Sequence, residues 1–346
     1  MTTFEPGAEC GVDRGLAEMM DAVFADHRDK ATATRPAGRD TELWSKLDQL
    51  GLVRLSGSAD TGGSGASWYE AAELLSAAVR HGVRTPLAEH DLLACWLLEE
   101  IGAPIDPAAR TVCTLDDSGV ATAVPWASTA EKIVVIWRHR DRSLVADVLA
   151  AELTITPGRN LIGEPRDTVA ADTAALTGVE VGTELLTKLR LRSALVRSVQ
   201  VCAALDKILE LAVEHTSART QFGRPLSKFQ AVQHLIADVA AEAALARAAT
   251  EAALAAAVGT DWSAPNLGFL IAVARSCAGH ATSVAVRNAH QAFGAIGTTL
   301  EHRLPEYTRA ALAWRSEFGS VRHWDEEVTR AALAAGGAGL WSLITG

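Results

Sequence analysis

Three long helical-period segments follow one another in the second half of this chain, and they limit its fold more than any other feature. From Thr183 to Ser217 the residues Leu185, Leu189, Leu195, Val196, Val199, Leu205, Ile208, Leu209 and Val213 recur at the three-and-four spacing of one helix face. A second such segment runs over 225–259 and a third over 264–294, where Pro265 suits the first helical position. Helices of this length bury their apolar stripes only against one another, and short turns between them make a four-helix bundle. In the third segment the small residues Ala278, Gly279, Ala281 and Ser283 let a neighbouring helix approach closely. The final stretch, 331–346, is apolar but interrupted by glycine, which fits a subunit-contact segment or a frayed core helix.

Shorter helices precede the bundle. Leu16, Met19, Met20 and Val23 mark one, and Leu43, Trp44, Leu47 and Leu50 mark another that stops before Gly51. Residues 68–82 and 87–102 give two more, with 52–55 (LVRL) as a short extended piece. The Gly/Ser-rich stretch 56–67 contains neither GxxxxGK nor GxGxxG and reads as a plain loop. Between them and the bundle, TVCTL, GVATAVPW, KIVVIW and AELTITPG are β-branched runs broken by Gly, Pro and Asp. The expected architecture is therefore mainly α with a small β domain: a helical domain over 1–110, a reduced β domain over 111–176 and a helical bundle over 177–346.

Composition removes several function classes. Lys and Arg number 32 against 42 Asp and Glu, a net charge of −10, so a phosphate-backbone binder is not expected and nucleic acid is not a partner. No run approaches the ~18 consecutive apolar residues of a spanning helix, and no basic-then-apolar leader opens the chain, which points to the cytoplasm and away from membranes. Cys10, Cys95, Cys113, Cys202 and Cys277 are scattered and never form CxxC, so reduced thiols are expected. His234, His280, His290 and His302 lack ligand spacing, and no metal site is expected.

Two segments, 214–249 and 289–320, carry sharper information. In the first, the R-T-Q-F-G turn sets Arg219 between two long helices, where a guanidinium suits a diphosphate; pairing with Glu214 explains it equally well. Taken alone, Phe222 is a core-type aromatic, Gln230 a solvated helix residue, and Gln291 to Gly297 a helix end and turn. Together with ELWSKLDQLGLVRLSGSADTGGSG (42–65), however, these segments resemble the signatures of the flavin-dependent acyl-CoA dehydrogenase family, in the expected order over nearly the whole chain. The resemblance implies that family's fold and an FAD shared with a neighbouring subunit. It implies that Arg219 reaches the neighbour's FAD pyrophosphate, that Phe222 and Gln230 lie beside the cofactor, and that Gln291, Gly294 and Gly297 approach its adenosine end. Ala295 departs from the family's Q-x-x-G-G-x-G pattern.

The catalytic signatures are absent. The family's reaction needs a carboxylate to take the α-proton of an acyl thioester while hydride passes to the flavin. Its usual glutamate matches Phe318, followed by Gly319, and a second known location matches Ser193. Glu317 is one residue off, about 100° around a helix; it and Glu301 are the candidates for a relocated base. The segments E-P-x-x-G-S-D and G-x-K-x-x-I-T-N, which hold the flavin ring in the family, have no match, although Val124, Pro125, Trp126 and Ala127 resemble the V-P-x-A piece of short members. Arg190, Arg192 and Arg197 read as a solvated helix face or as a group facing CoA phosphates, and Glu301, His302, Arg303 and Glu306 as surface pairs and capping groups. The resemblance points to the short subunit of a heteromeric, α2β2 bacterial steroid-CoA dehydrogenase. Its partner would be a longer acyl-CoA dehydrogenase subunit, its substrate an acyl-CoA and its electron acceptor an electron-transfer flavoprotein. A self-sufficient homomeric dehydrogenase and a flavin-free helical scaffold are the alternatives.

Overall fold

The computed structural model describes residues 12–30, 39–299 and 301–345; Cys10 lies outside them. Helices α1 (Arg14–Lys30), α2 (Thr41–Gln49) and α3 (Trp68–Arg80) open the chain. Asp40 caps α2 by accepting from the amides of Glu42 and Leu43, and Ser67 with Glu70 forms a capping box on α3. The next segment, expected as one α-helix, begins instead as a π-helix, Ala88–Cys95, and continues as α4 (Trp96–Glu100). All eight π-helical residues are buried, so this piece has no solvated face. Its polar members find partners inside: Glu89 with Arg197, His90 with the Arg110 amide, Asp91 with the Ser56 amide.

The LVRL piece forms turns rather than a strand. Its backbone is folded against the loop that follows, with Arg54 and Leu55 carbonyls accepting from the Ser64 and Ala66 amides. A Cβ at Gly63 would meet the Gly57 carbonyl at 2.1 Å, so this loop's glycines serve close backbone packing.

Seven strands follow: β1 (Arg110–Thr114), β2 (Val120–Pro125), β3 (Lys132–His139), β4 (Arg142–Leu149), β5 (Thr154–Thr156), β6 (Arg166–Ala170) and β7 (Val179–Val181). They make one sheet in the order β1-β3-β4-β7 and another in the order β2-β6-β5; β1 and β3 run parallel and the other pairs antiparallel. Alternation along β3 explains the layering. Ile133, Val135 and Trp137 pack with Val148 and Val169 between the sheets, while Val134 and Ile136 pack against Leu93, Leu97 and Leu189 of the helices.

The bundle comprises α5 (Thr183–Ala218), α6 (Gln230–Gly259), α7 (Leu267–Phe293), α8 (Leu304–Trp314) and α9 (Val321–Thr345). A two-residue-stranded hairpin, β8 (Thr220–Gln221) and β9 (Arg224–Pro225), separates α5 from α6, so α6 starts at Gln230 rather than at 225. Pro265 sits before the cap residue Asn266, two positions ahead of the first helical residue, its expected place. The small-residue patch of α7 does admit a close neighbour: a Cβ at Gly279 would lie 2.6 Å from Val321 of α9. By length and composition Leu267–Thr298 could cross a membrane, but half of its most apolar window is buried in the bundle. Helix α9 bends at Gly336, whose φ is +62°, and beyond it Leu340, Trp341 and Ile344 are exposed. Cys95, Cys113, Cys202 and Cys277 are free thiols.

Candidate functional site

Two places collect the residues singled out in the sequence. The first is the turn between α8 and α9. Arg275 of α7, fully buried, holds that turn: its Nη2 lies 2.8–3.4 Å from the carbonyls of Trp314, Arg315, Glu317 and Gly319. A cation is well placed there because it meets the carbonyls that cluster past the end of α8. The turn then places Phe318 at φ +55° and Gly319 at φ +123°. Left-handed backbone costs a phenylalanine roughly 1–2 kcal/mol, so the surrounding structure imposes it. A side chain at Gly319 would strike the Trp324 ring nitrogen at 2.5 Å.

Glu317 and Phe318 point in different directions from this turn. Phe318 packs on the apolar cluster of Leu93, Leu97 and Leu189, with the Arg197 guanidinium 5.0 Å from its ring. Glu317 enters a buried ionic chain. Its Oε1 accepts from Arg166 Nε at 2.7 Å and its Oε2 from Arg197 Nε at 2.7 Å and Arg166 Nη2 at 2.9 Å. Arg197 also donates to Glu89 at 2.6 Å and to Gln200, and Arg166 donates to Glu164, which accepts in turn from the Trp314 indole. Burial alone would raise the Glu317 pKa, but Arg197 and Arg166 outweigh it and hold it at about 2. A carboxylate so stabilised as the anion is a poor proton acceptor, and its lone pairs are already taken.

The other expected base positions fare no better. Ser193 is buried on α5 and donates its hydroxyl to the Leu189 carbonyl at 2.8 Å. Glu301 is exposed on the turn before α8, beside His302, whose Nδ1 accepts the Leu304 amide as a cap. Arg303 pairs with Glu306, which also binds Arg28 of α1. The arginines of α5 do not share an environment: Arg190 is exposed over Trp324, Arg192 is enclosed by three tryptophans and Arg197 lies in the ionic chain. Neither a solvated stripe nor a phosphate-facing group results.

The second place is a rim at one end of the bundle. Arg219 ends α5, Phe222 tips the β8–β9 hairpin and Gln230 begins α6, all exposed; Phe222 is 92% accessible and held at φ +53°. The Arg219 amide donates to the His215 carbonyl, and Phe222 and Phe229 meet edge to face. Gln291 is exposed in the last turn of α7, and Gly294 follows at φ +66° with open space where a Cβ would be. Gly297, in contrast, is required by packing, since a Cβ would lie 2.7 Å from Phe293. Rings also join the two segments: His215 of α5 stacks on Phe293 of α7 at 4.1 Å, and His302 meets both rings edge-on. Motif spacing missed this stack, and it missed Arg166 and Glu89. It missed Arg275 too, although a signal existed: an arginine set between Ala274 and Ser276 in an apolar helix.

In the β layers, the Val124–Ala127 piece is held as a tight turn. Buried Trp126 adopts φ +60°, its amide donates to the Pro165 carbonyl, and the fully buried Asp167 accepts from the Ser128 and Gly158 amides.

Comparison with known proteins agrees with this architecture. Residues 177–336 match the family described as acyl-CoA dehydrogenase, C-terminal domain. The chain is 28% identical over 326 residues to acyl-CoA dehydrogenase FadE34 of Mycobacterium tuberculosis, covering 90% of this chain and 44% of that protein, so it spans less than half of that relative's length. Its fold is similar to a chain of the ChsE4-ChsE5 complex from Mycobacterium tuberculosis, with a TM-score of 0.81, 20% identity and coverage of 94% of this chain and 98% of that one. It is also similar to a chain of the Tcur3481-Tcur3483 steroid ACAD, with a TM-score of 0.79, 21% identity and coverage of 95% and 96%.

Proposed function

We propose that this chain is the subunit without the catalytic base in a heteromeric, FAD-dependent acyl-CoA dehydrogenase, because residues 177–336 match that family's C-terminal domain and the fold of the whole chain is similar to that of acyl-CoA dehydrogenases. The observation that carries the reading is the engagement of Glu317: the only carboxylate on the turn at the family's base position is bound by Arg166 and Arg197, and its neighbour Phe318 is apolar. The partner subunit then supplies the base. A complex of two such chains among the structures of similar fold, and a steroid ACAD beside it, favour a longer acyl-CoA dehydrogenase as partner and a steroid-derived acyl-CoA as substrate.

The rim fits a role in holding a partner's FAD. Arg219 is exposed and free of an ion pair among the described residues, Phe222 presents nearly its whole ring to solvent, and Gly294 leaves room for a ligand's approach to the backbone. In this reading Arg219 binds the pyrophosphate bidentately, Phe222 and Gln230 cover the cofactor's flank, and Gln291 with Gly294 faces the adenosine. FAD, when bound, accepts the hydride from the substrate β-carbon. This chain's residues bind and orient it and exclude water, and an electron-transfer flavoprotein reoxidises it.

Expression of this chain alone and together with a longer acyl-CoA dehydrogenase subunit tests the proposal. Flavin absorbance and acyl-CoA turnover are expected only from the pair, and Arg219→Ala is expected to lower the pair's flavin content. Yellow, active protein from this chain alone would favour a homomeric enzyme; an Arg219→Ala pair with full flavin would remove Arg219 from the cofactor site.

A further inference from the structure

Arg192 lies roughly 40 Å from Arg219 along α5, at ~1.5 Å per residue, and it borders a cavity of about 190 Å3. Trp68, Trp96 and Trp262 form its aromatic walls, and Ser56, Glu99 and Asp261 contribute polar groups. The guanidinium carbon is 3.9 Å from the Trp96 ring, 4.5 Å from Trp262 and 5.2 Å from Trp68. Arg192 is buried and forms no ion pair among the described residues; its one hydrogen bond there, Nη1 to the Leu92 carbonyl, is 3.5 Å long. Its buried Nε has no acceptor. Burial lowers its pKa to about 9 against the opposing pull of Glu100 and Asp261. Ring faces offset part of the desolvation of a cation, but they leave the in-plane N–H directions unfilled. Asp261 and Trp262, which border the same cavity, are both held at positive φ, at +48° and +63°.

The polar groups around the cavity select against an anion. Glu99 is engaged by Arg54, the Ser58 amide and Thr61, but Asp261 is exposed at the cavity's edge. Asp91, close by, has an unpartnered buried Oδ1, and burial pushes its carboxyl up to about 6, so that it is charged at neutral pH. A carboxylate on Arg192 would be set against both; an uncharged carbonyl oxygen would not. The volume exceeds that of the ~150 Å3 cavity known to admit benzene.

We propose that this cavity binds a small neutral carbonyl compound with a flat apolar body, whose oxygen accepts from the Arg192 guanidinium and whose body lies against Trp68, Trp96 and Trp262. The site does not depend on the flavin reading above.

Benzamide is the probe, with benzoate and benzene as controls, each titrated into the full chain while the arginine Nε–H and tryptophan indole N–H resonances are followed by NMR. Saturable shifts of Arg192, Trp96 and Trp262 are expected with benzamide, and at least tenfold weaker binding of benzoate and of benzene. No saturable shift with benzamide, or equal affinity for either control, overturns the proposal. Ala66→Val adds bulk at a partly exposed residue of the cavity lining and leaves Arg192 in place. It is expected to weaken benzamide at least tenfold, and unchanged affinity in a folded variant would also overturn the assignment. Should that variant not fold, the comparison of the three probes on the unaltered chain still decides.

Discussion

At the turn of Glu317 to Gly319 the charged and apolar groups are engaged, whereas at the rim of Arg219, Phe222 and Gln291 they face outward. Both places fall on segments that resemble signatures of one family, and both carry a non-glycine residue at positive φ. Their surroundings separate them. Buried ion pairs leave no lone pair for chemistry and resist any change of charge, so the interior turn is suited to holding the fold. An exposed aromatic and an unpaired guanidinium gain little within the chain and much from a ligand or partner, so the rim is suited to recognition. Similarity of motif thus does not carry similarity of task.

The sharpest way to break this contrast is Arg197→Met, which leaves Glu89 and Glu317 without a shared cation. A loss of about 3–5 kcal/mol is expected from breaking such a buried pair, read by urea unfolding. A change below 1 kcal/mol would mean that the interior chain is not holding the fold.

Acid should expose the same linkage. The Glu317 pKa is lowered on folding, so its contribution is present above the unfolded carboxyl's range and is lost as pH falls toward about 2. Unfolding free energy should therefore decline between roughly pH 5 and pH 2 by about 3 kcal/mol from this group. Glu317→Gln should be less stable than the unaltered chain at neutral pH and should lack that part of the decline, so that the two curves converge near the acid limit. Parallel curves across the whole range would contradict the pairing.

Smaller effects belong to the rim. Phe222→Gly relieves left-handed strain at an almost fully exposed position and should stabilise the chain by up to about 1 kcal/mol, while lowering flavin retention in the paired complex. Arg219→Ala should change stability by no more than about 0.5 kcal/mol, as measured by thermal unfolding of this chain alone. A large loss of stability there would show that Arg219 serves the fold, which would erase the distinction between the two places.

Much of the architecture was legible because it rests on periodicity. The spacing of Leu189, Leu195, Val199, Leu205 and Ile208 dictates a long helix wherever its partners lie, and the β-branched run at 132–137 dictates a strand. Local rules failed where tertiary contacts set the conformation. Residues 88–95 wind as a π-helix inside the core, 52–55 turn against their own loop, and 225–229 belong to a hairpin and its following turn. Motif spacing singled out Arg219, Phe222, Gln230, Gln291 and Gly294, which the structure leaves at the surface, but not the stacked His215 and Phe293.

What the amino-acid sequence determined by itself was the long helices and the main strand runs, their order, and the absence of glutamate at positions 318 and 193. The tertiary structure alone decided what Glu317, Arg192 and Arg197 are for. Adjacent residues on a helix or turn face different surroundings, and a charged side chain's role follows from the partners and solvent it meets, which come from segments more than a hundred residues away: Arg166 and Arg197 for Glu317, Glu89 for Arg197, and Trp68 for Arg192.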